Sequence, residues 1–90
     1  MTQPIETLKI WPEFFQAYLE GRKPFEIRRQ DRPFEVGYLF RFKEWDPEAQ
    51  AFTGRVSGLR RITYLTDFGI KPGFVAFAHE AAAGEEVARG

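Results

Sequence analysis

The 90-residue chain contains no cysteine and a single histidine, His79. The lack of cysteine excludes disulfide bridges, a thiol nucleophile and zinc sites built on thiolates, and one histidine excludes a multi-histidine metal site. No apolar run approaches the roughly 20 residues that a membrane-spanning helix needs, and the first six residues carry no signal-peptide pattern. We therefore expect a cytoplasmic protein without membrane association, metal or cofactor.

Aromatic residues are abundant for so short a chain, with ten phenylalanines, two tryptophans and three tyrosines. Each aromatic side chain buries roughly 150–250 Å², so a few of them supply the core of one small domain. We expect that single domain over residues 1–80. Residues 81–90 are rich in alanine, glycine and glutamate, which predicts a flexible C-terminal tail.

Positive charge is concentrated in one stretch, although the thirteen basic and thirteen acidic residues of the chain cancel. Residues 21–43 hold seven basic and three acidic side chains, a local excess of four positive charges. A strongly basic nucleic-acid-binding protein would have a different overall balance. The local excess indicates either one binding face or a solvated surface of mixed charge.

The first third of the chain predicts a strand, a helix and a second strand. Leu8–Ile10 alternates as a strand does, Pro12 suits the first turn of a helix, and Gly21 suits its end. The helix has one apolar stripe, made of Phe14, Phe15, Tyr18 and Leu19. The second strand alternates again, which predicts that Phe25 and Ile27 face inward while Glu26 and Arg28 share the other face.

Three further strands are predicted over residues 38–45, 56–66 and 74–78. Phe40 and Phe42 share one face of the first of these strands, and the last is apolar on both faces and therefore central. A turn is predicted to open at Asp46 and to close at Gly54. Short strands with Gly/Pro turns and a single helix predict a small barrel or a strongly curved sheet.

The segment Gly21–Arg28 fits the pattern Gly-x-Lys-x-x-Glu-x-Arg. With the segments around it, this pattern resembles the ASCH domains of the PUA-like superfamily, and in particular an uncharacterised bacterial and phage branch, a domain of unknown function. The resemblance covers roughly residues 7–80. The supporting segments are Leu8–Pro12, Asp31-Arg32, Phe34, Val36-Gly37, Glu44–Pro47, Thr53–Arg55 and Gly69–Phe74.

The resemblance implies an α+β fold, a small PUA-like β-barrel of about five or six strands with one N-terminal helix between the first two. It also implies a cleft lined by the Gly21–Arg28 motif. ASCH domains are inferred to bind RNA or nucleotides. A few members hydrolyse the amide of acetylated cytidine, and some are reported to cut RNA.

The residue chemistry of the motif also predicts a charged binding cleft. Lys23 and Arg28 offer cationic donors to a phosphate or a carbonyl oxygen, Arg28 as a planar fork, and Glu26 accepts hydrogen bonds from a base edge or from its neighbours. The alternative is that Glu26 and Arg28 merely pair on an exposed sheet face, which is worth about 0–1 kcal/mol. Supporting ligand contacts are expected from Lys9, Arg29, Asp31, Trp45 and Lys71.

Catalysis is the alternative function, with Lys23 and Glu26 as acid–base residues. In the amide-hydrolysing ASCH members a threonine follows the motif lysine and is the proposed nucleophile, whereas Pro24 stands there in this chain and has no hydroxyl. His79 is the side chain that titrates near neutral pH by default. We therefore predict a domain that binds RNA or a nucleotide-like ligand. A small hydrolase of modified nucleosides or RNA, and a protein-interaction module, stay as alternatives.

Overall fold

The computed structural model describes residues 5–82 as one six-stranded sheet with one short helix. The elements are β1 (Glu6–Ile10), α1 (Pro12–Leu19), β2 (Phe25–Arg29), β3 (Leu39–Asp46), β4 (Ala51–Val56), β5 (Arg60–Thr66) and β6 (Phe74–Ala81). The fold is mostly β, and the predicted number of about five or six strands with one helix between the first two is confirmed. Within residues 5–82 no helix has the length and apolar character to cross a membrane.

The sheet has the strand order β1-β3-β5-β6-β2, and β4 pairs with β3 as a sixth strand. β1 runs parallel to β3, and the other pairs are antiparallel. β6 has a partner on each side, as its apolar pattern predicts. β1 and β2 stand at the two ends of the order, and no strand pairing joins them among the described residues. The sheet is therefore not closed into a barrel.

The core lies on one face of the sheet, where α1 covers it. Phe40 and Phe42 of β3 are fully buried, as their predicted common face requires. Phe15 of α1 is 1% exposed, and the Tyr18 ring meets the Phe42 ring edge-on at 5.0 Å between centroids. The other buried apolar residues of this cluster are Leu8, Ile10, Phe34, Tyr38, Ile62, Val75 and Phe77.

Helix α1 ends in a Schellman motif that sets the start of β2. Gly21 has φ +78°, a left-handed conformation that glycine adopts without a Cβ penalty. The N–H of Gly21 donates to the carbonyl of Tyr18 at 3.0 Å, and the N–H of Arg22 donates to the carbonyl of Ala17 at 2.9 Å. The helix therefore ends at Leu19, four residues before Lys23, with Gly21 just beyond its end as predicted.

The predicted inward face of β2 is wrong. Phe25 and Ile27 are 46% and 53% exposed, whereas Glu26 is 3% exposed. The alternation itself is correct, but the charged set faces inward. Basic partners on both sides compensate the buried carboxylate of Glu26, so its burial is tolerated.

The turn after β3 is shorter than predicted, because β4 begins at Ala51 rather than after Gly54. The Asp46 carboxylate accepts hydrogen bonds from the N–H groups of Glu48 and Ala49, at 2.9 and 3.3 Å, and so closes the turn over residues 47–50. Gly54 lies inside β4 with φ +99°, where the register against β3 shifts as in a β-bulge. The predicted strand over residues 56–66 is interrupted at 57–59 and resumes as β5.

The C-terminal limit of the described chain bears on the predicted tail. β6 continues to Ala81, and Ala82 is 3% exposed with its N–H donating to the carbonyl of Leu59 at 2.9 Å. The remainder of the predicted tail, residues 83–90, lies outside the described residues.

Candidate ligand-binding pocket

A pocket of about 480 Å³ opens between the end of β1, the start of α1 and strand β2. Its size falls within the range of roughly 300–1,000 Å³ that is typical of small-molecule sites. The lining residues are Lys9, Ile10, Trp11, Phe14, Lys23, Phe25, Glu26, Ile27, Arg28, Arg29 and Phe74. The pocket therefore lies where the sequence motif ends in β2.

The three charged motif residues form one ion-paired group in this pocket. Lys23 Nζ donates to Glu26 Oε2 at 2.6 Å, and Arg28 Nε donates to Glu26 Oε1 at 3.1 Å. The Glu26 side chain is 4% exposed, while those of Lys23 and Arg28 are 20% and 22% exposed. The pairing that we considered on an exposed sheet face is thus on the buried face. The carboxylate is held deep in the site and the two cations extend from it towards the opening.

Two arginines connect the ends of the sheet across the gap between β1 and β2. Arg28 Nη2 donates to the carbonyl of Lys9 at 2.8 Å, and Arg32 Nη1 donates to the carbonyl of Thr7 at 2.9 Å. We call this pair of side chains the arginine bridge. It satisfies carbonyls on the edge of β1 that strand pairing leaves open, and it places Arg28 between Glu26 and the backbone of β1.

The pocket combines positive charge with exposed aromatic rings. Four cations and one carboxylate line it, so the lining carries three net positive charges. Trp11 and Phe14 are 50% and 42% exposed, and their rings stack with centroids 6.3 Å apart and an interplanar angle of 20°. Phe25 and Phe74 add two further rings. This combination suits an anionic ligand that has a flat, unsaturated part.

Five of the eight predicted ligand-binding residues line the pocket, namely Lys9, Lys23, Glu26, Arg28 and Arg29. The other three lie outside its lining. Lys71 stands beside it, because its Nζ and the Arg29 guanidinium each lie 5.1 Å from the Phe74 ring centroid. Trp45 contacts one residue of the pocket lining, Lys9, whose Nζ lies 4.0 Å from the Trp45 ring centroid. Asp31 is exposed in the loop after β2.

Sequence reasoning missed the aromatic part of the pocket. The helical spacing of Phe14 assigned it to the apolar stripe of α1, and Trp11 was not among the residues predicted to contact a ligand. In the structure Phe15 and Tyr18 take the core side of α1, whereas Trp11 and Phe14 line the pocket. The sequence feature that could have indicated a role for Trp11 in the pocket is its position directly after β1, next to the edge that β2 approaches.

His79 is buried beside the core rather than in the pocket lining. Its ring lies 5.4 Å from that of Phe40 and 5.5 Å from that of Phe42, measured between centroids, and its Nδ1 accepts a hydrogen bond from Arg60 Nε at 3.1 Å. Burial, reinforced by the positive charges of Arg60 and Lys23, lowers the pKa of His79 to about 4. The imidazole is therefore neutral at pH 7.

A second buried carboxylate, Glu44, was not singled out from the sequence. Arg55 binds it with Nε and Nη2, at 3.0 and 2.9 Å, and Thr53 Oγ1 donates to it at 2.6 Å. These hydrogen bonds hold the pKa of Glu44 below its usual value. Because Arg55 and Thr53 both belong to β4, the cluster fastens that strand to β3.

Comparison with known proteins places these features in a family. A family model described as "Domain of unknown function (DUF3850)" matches residues 5–78. The chain belongs to the DUF3850 family. The matched span includes the whole pocket lining of this DUF3850 domain. The predicted assignment to a domain of unknown function is confirmed at this level.

A curated relative of this DUF3850 chain comes from a phage. It is described as "Uncharacterized 12.9 kDa protein in GpA 3'region" of Escherichia phage P2, and it is 37% identical over 67 residues, which cover 74% of this chain. The chain spans 59% of the length of that phage protein. The predicted similarity to an uncharacterised phage protein is confirmed. Neither description names an activity.

Proposed function

We propose that this DUF3850 domain binds RNA or a nucleotide-like ligand in the pocket beside Lys23. The observation that carries the proposal is that three net positive charges and several exposed aromatic rings share one open pocket. Phosphate oxygens form strong, charge-assisted hydrogen bonds with lysine and arginine. A base stacks on an aromatic face whatever its sequence, for about 1–3 kcal/mol.

The residues of the pocket divide between these two parts of a nucleotide. Lys23 and Arg28 are engaged by Glu26, so the more exposed cations Lys9 and Arg29 are better placed to contact phosphate. Trp11 and Phe14 offer the ring faces for the base. The Glu26 carboxylate at the base of the pocket accepts hydrogen bonds from N–H groups on a base edge.

We also propose kinship with the ASCH domains of the PUA-like superfamily, including their β-barrel. The motif supports it, because Lys23, Glu26 and Arg28 converge on the pocket, as that family's cleft requires. The arginine bridge supports it as well, since it brings the open ends of the sheet together. NOE contacts between backbone protons of β1 and β2 in solution would support closure. Their absence in a fully assigned spectrum would contradict it.

Binding is favoured over hydrolysis by the composition of the pocket. Among the described residues that line it, none carries a hydroxyl or an imidazole group, and the adjacent Pro24 offers no nucleophile. We expect no release of acetate when the protein is incubated with acetylated cytidine, and no cleavage of single-stranded RNA. Turnover that Lys23→Met and Glu26→Gln both abolish would replace binding with hydrolysis as the function of this site.

The binding test uses exposed pocket cations, because removal of Lys23 or Arg28 would also leave Glu26 with a single basic partner. We expect Arg29→Ala and Lys9→Ala each to weaken binding of adenosine monophosphate by about tenfold in calorimetric titrations. Each should also reduce the slope of log affinity against log salt concentration by about one for a short RNA.

Arg22→Ala is the matched control for this experiment. Arg22 lies one residue before Lys23, its side chain is 64% exposed, and it pairs with Glu20 outside the pocket lining. Its removal should leave affinity within twofold. Equal effects of Arg22→Ala and Arg29→Ala would show that binding does not use the pocket.

A further inference from the structure

Two aromatic rings and two lysines form a separate group on the face of the sheet opposite to the core. Trp45 of β3 stands directly opposite Phe52 of β4, and their rings meet edge-on with centroids 5.0 Å apart. Lys9 Nζ lies 4.0 Å from the Trp45 ring centroid, and Lys43 Nζ lies 5.0 Å from that of Phe52. We call these four residues the outer aromatic surface. Only Lys9 also belongs to the pocket lining.

We propose that one nucleotide of an RNA strand occupies the pocket and that the neighbouring nucleotides of the same strand bind to the outer aromatic surface. The ligand of this domain is then a single-stranded oligonucleotide rather than a free nucleotide. The inference rests on the proposed function of the pocket, and it assigns a role to Trp45 and Phe52 that the pocket does not use.

The charge of this face fits a phosphate backbone. Lys9 and Lys43 point to the outer side, whereas the carboxylates of Glu6 and Glu44 belong to the opposite side of β1 and β3, where arginines bind them. The Asp46 carboxylate at the end of β3 accepts N–H groups of the following turn. The outer aromatic surface therefore presents cations beside its rings, an arrangement that binds single strands with little regard to sequence.

The lysines over the rings do not prevent stacking. Phe52 is 45% exposed, and a cation–π contact at an exposed site is weaker than the stacking of a base on an aromatic ring. An incoming base therefore displaces the ammonium from the ring face. The displaced Lys9 or Lys43 remains close enough to contact the phosphate of the same nucleotide.

Lys9 makes the pocket and the outer aromatic surface continuous. Its side chain lies over Trp45, while its backbone carbonyl accepts from Arg28 in the pocket. Adjacent strands lie about 4.8 Å apart, so the path from β1 across β3 to β4 is about 10 Å wide. At a spacing of about 3.4 Å per stacked nucleotide, it accommodates about three nucleotides.

A fluorescence experiment tests whether a strand reaches Trp45. The chain has two tryptophans, so the Trp11→Phe variant leaves Trp45 as the only one. We expect a hexa-adenylate RNA to quench the emission of this variant strongly, and adenosine monophosphate, which contacts Lys9 but does not stack on the ring, to change it much less. Emission that hexa-adenylate does not change at saturation would overturn the inference.

Affinity measurements on surface variants provide the second test. We expect Phe52→Ala and Lys43→Ala each to weaken hexa-adenylate binding about fivefold to tenfold, and to leave the affinity for adenosine monophosphate within twofold. Lys43→Ala removes no packed ring, so we expect it to fold. It therefore tests the inference even if Phe52→Ala does not fold. Tyr64→Ala is the control, because Tyr64 is an exposed aromatic residue on β5, outside this surface.

The outcomes separate this inference from the proposed function. If hexa-adenylate and adenosine monophosphate bind equally well, and Arg29→Ala weakens both, the pocket stands and the outer aromatic surface does not. If Phe52→Ala weakens hexa-adenylate binding but Arg29→Ala does not, the surface stands and the pocket is not the nucleotide site. Binding that is insensitive to salt would overturn both, since phosphate contacts release counterions.

Discussion

At the scale of single residues, the buried carboxylates of Glu26 and Glu44 both have basic partners but have different roles. Glu26 is held by Lys23 and Arg28, whose side chains line an open pocket. Glu44 is held by Arg55, whose guanidinium lies 4.9 Å from the Phe15 ring centroid under α1. The first group is therefore open to a ligand, while the second joins β3, β4 and the helix.

His79 makes folding stability sensitive to pH. Its pKa falls from the ordinary value of 6.5 to about 4 in the folded protein, so the unfolded chain binds the proton more readily between these values. The free energy of unfolding must therefore decrease as pH falls from about 6.5 to about 4, by about 3 kcal/mol at most. Urea unfolding at intervals between pH 7 and pH 5 measures this slope.

The control for this prediction is His79→Gln, which removes the only imidazole of the chain. The variant should be less sensitive to pH above 5, because the carboxylate of Glu44, whose pKa is lowered, titrates below that range. An unchanged slope in His79→Gln would assign the pH dependence to another group.

The sequence allowed the charged part of the site to be predicted, but not the aromatic part. Lys23, Glu26 and Arg28 occur in a dense pattern of known type, and the structure brings them together. No comparable sequence pattern identifies Trp11 and Phe14 as pocket residues, because apolar residues at helical spacing belong to the core in most helices. Which aromatic residues of α1 point to the core depends on where β2 lies, and that is a property of the tertiary fold.

At the scale of secondary-structure elements, the arginine bridge replaces the strand pairing that β1 and β2 lack. We expect Arg28→Met to lower the free energy of unfolding by about 2–3 kcal/mol, because it removes hydrogen bonds from both a buried carboxylate and a backbone carbonyl. Arg28→Lys should recover about half of this loss, since one ammonium does not reproduce the two-sided geometry of a guanidinium. Urea unfolding measures both variants.

Arg29→Met is the matched control in the same strand. Arg29 is exposed and its guanidinium lies over Phe74 at the surface, so its replacement should change the free energy of unfolding by no more than about 0.5 kcal/mol. If Arg28→Met were no more destabilising than Arg29→Met, the bridge would not contribute to stability.

The predictions for β2 and β4 were wrong because residues in these strands have roles that are unusual for their residue type. The apolar pattern of β2 was assigned the wrong face, because Phe25 and Ile27 are exposed at the pocket while the carboxylate of Glu26 is buried between two basic side chains. β4 was missed because Gly54 was interpreted as the end of a turn, whereas it forms a bulge within the strand. Local pattern does not contain this information, since both cases depend on partners distant in sequence.

At the scale of the whole molecule, the chain is neutral while its pocket is positive. Binding therefore depends on the local site, and it stabilises the fold by mass action. At one hundred times its dissociation constant, adenosine monophosphate should add about 2.7 kcal/mol to stability. For a domain of this size that corresponds to a rise of about 10–20 °C in Tm. A thermal melt with and without the nucleotide measures it.

The variants of the pocket again provide the comparison. If Arg29→Ala weakens binding tenfold, the same nucleotide concentration should produce about half the rise in Tm, while Arg22→Ala should keep the full rise. A rise that is equal in Arg29→Ala and in the unmodified chain would place the bound nucleotide elsewhere.

The parallel pairing of β1 with β3 has a consequence for the order of folding. β3 and β4 are joined by a four-residue turn, whereas Glu6 lies opposite Phe40, a separation of 40 − 6 = 34 residues. Because the entropy cost of closing a loop grows with its length, the β3–β4 hairpin forms at a lower cost. During synthesis at about 5–20 residues per second, β1 waits about 2–7 s for its partner strand. The pocket is completed later still, because its β2 wall pairs with β6, where Phe25 lies opposite Ala78, a separation of 78 − 25 = 53 residues.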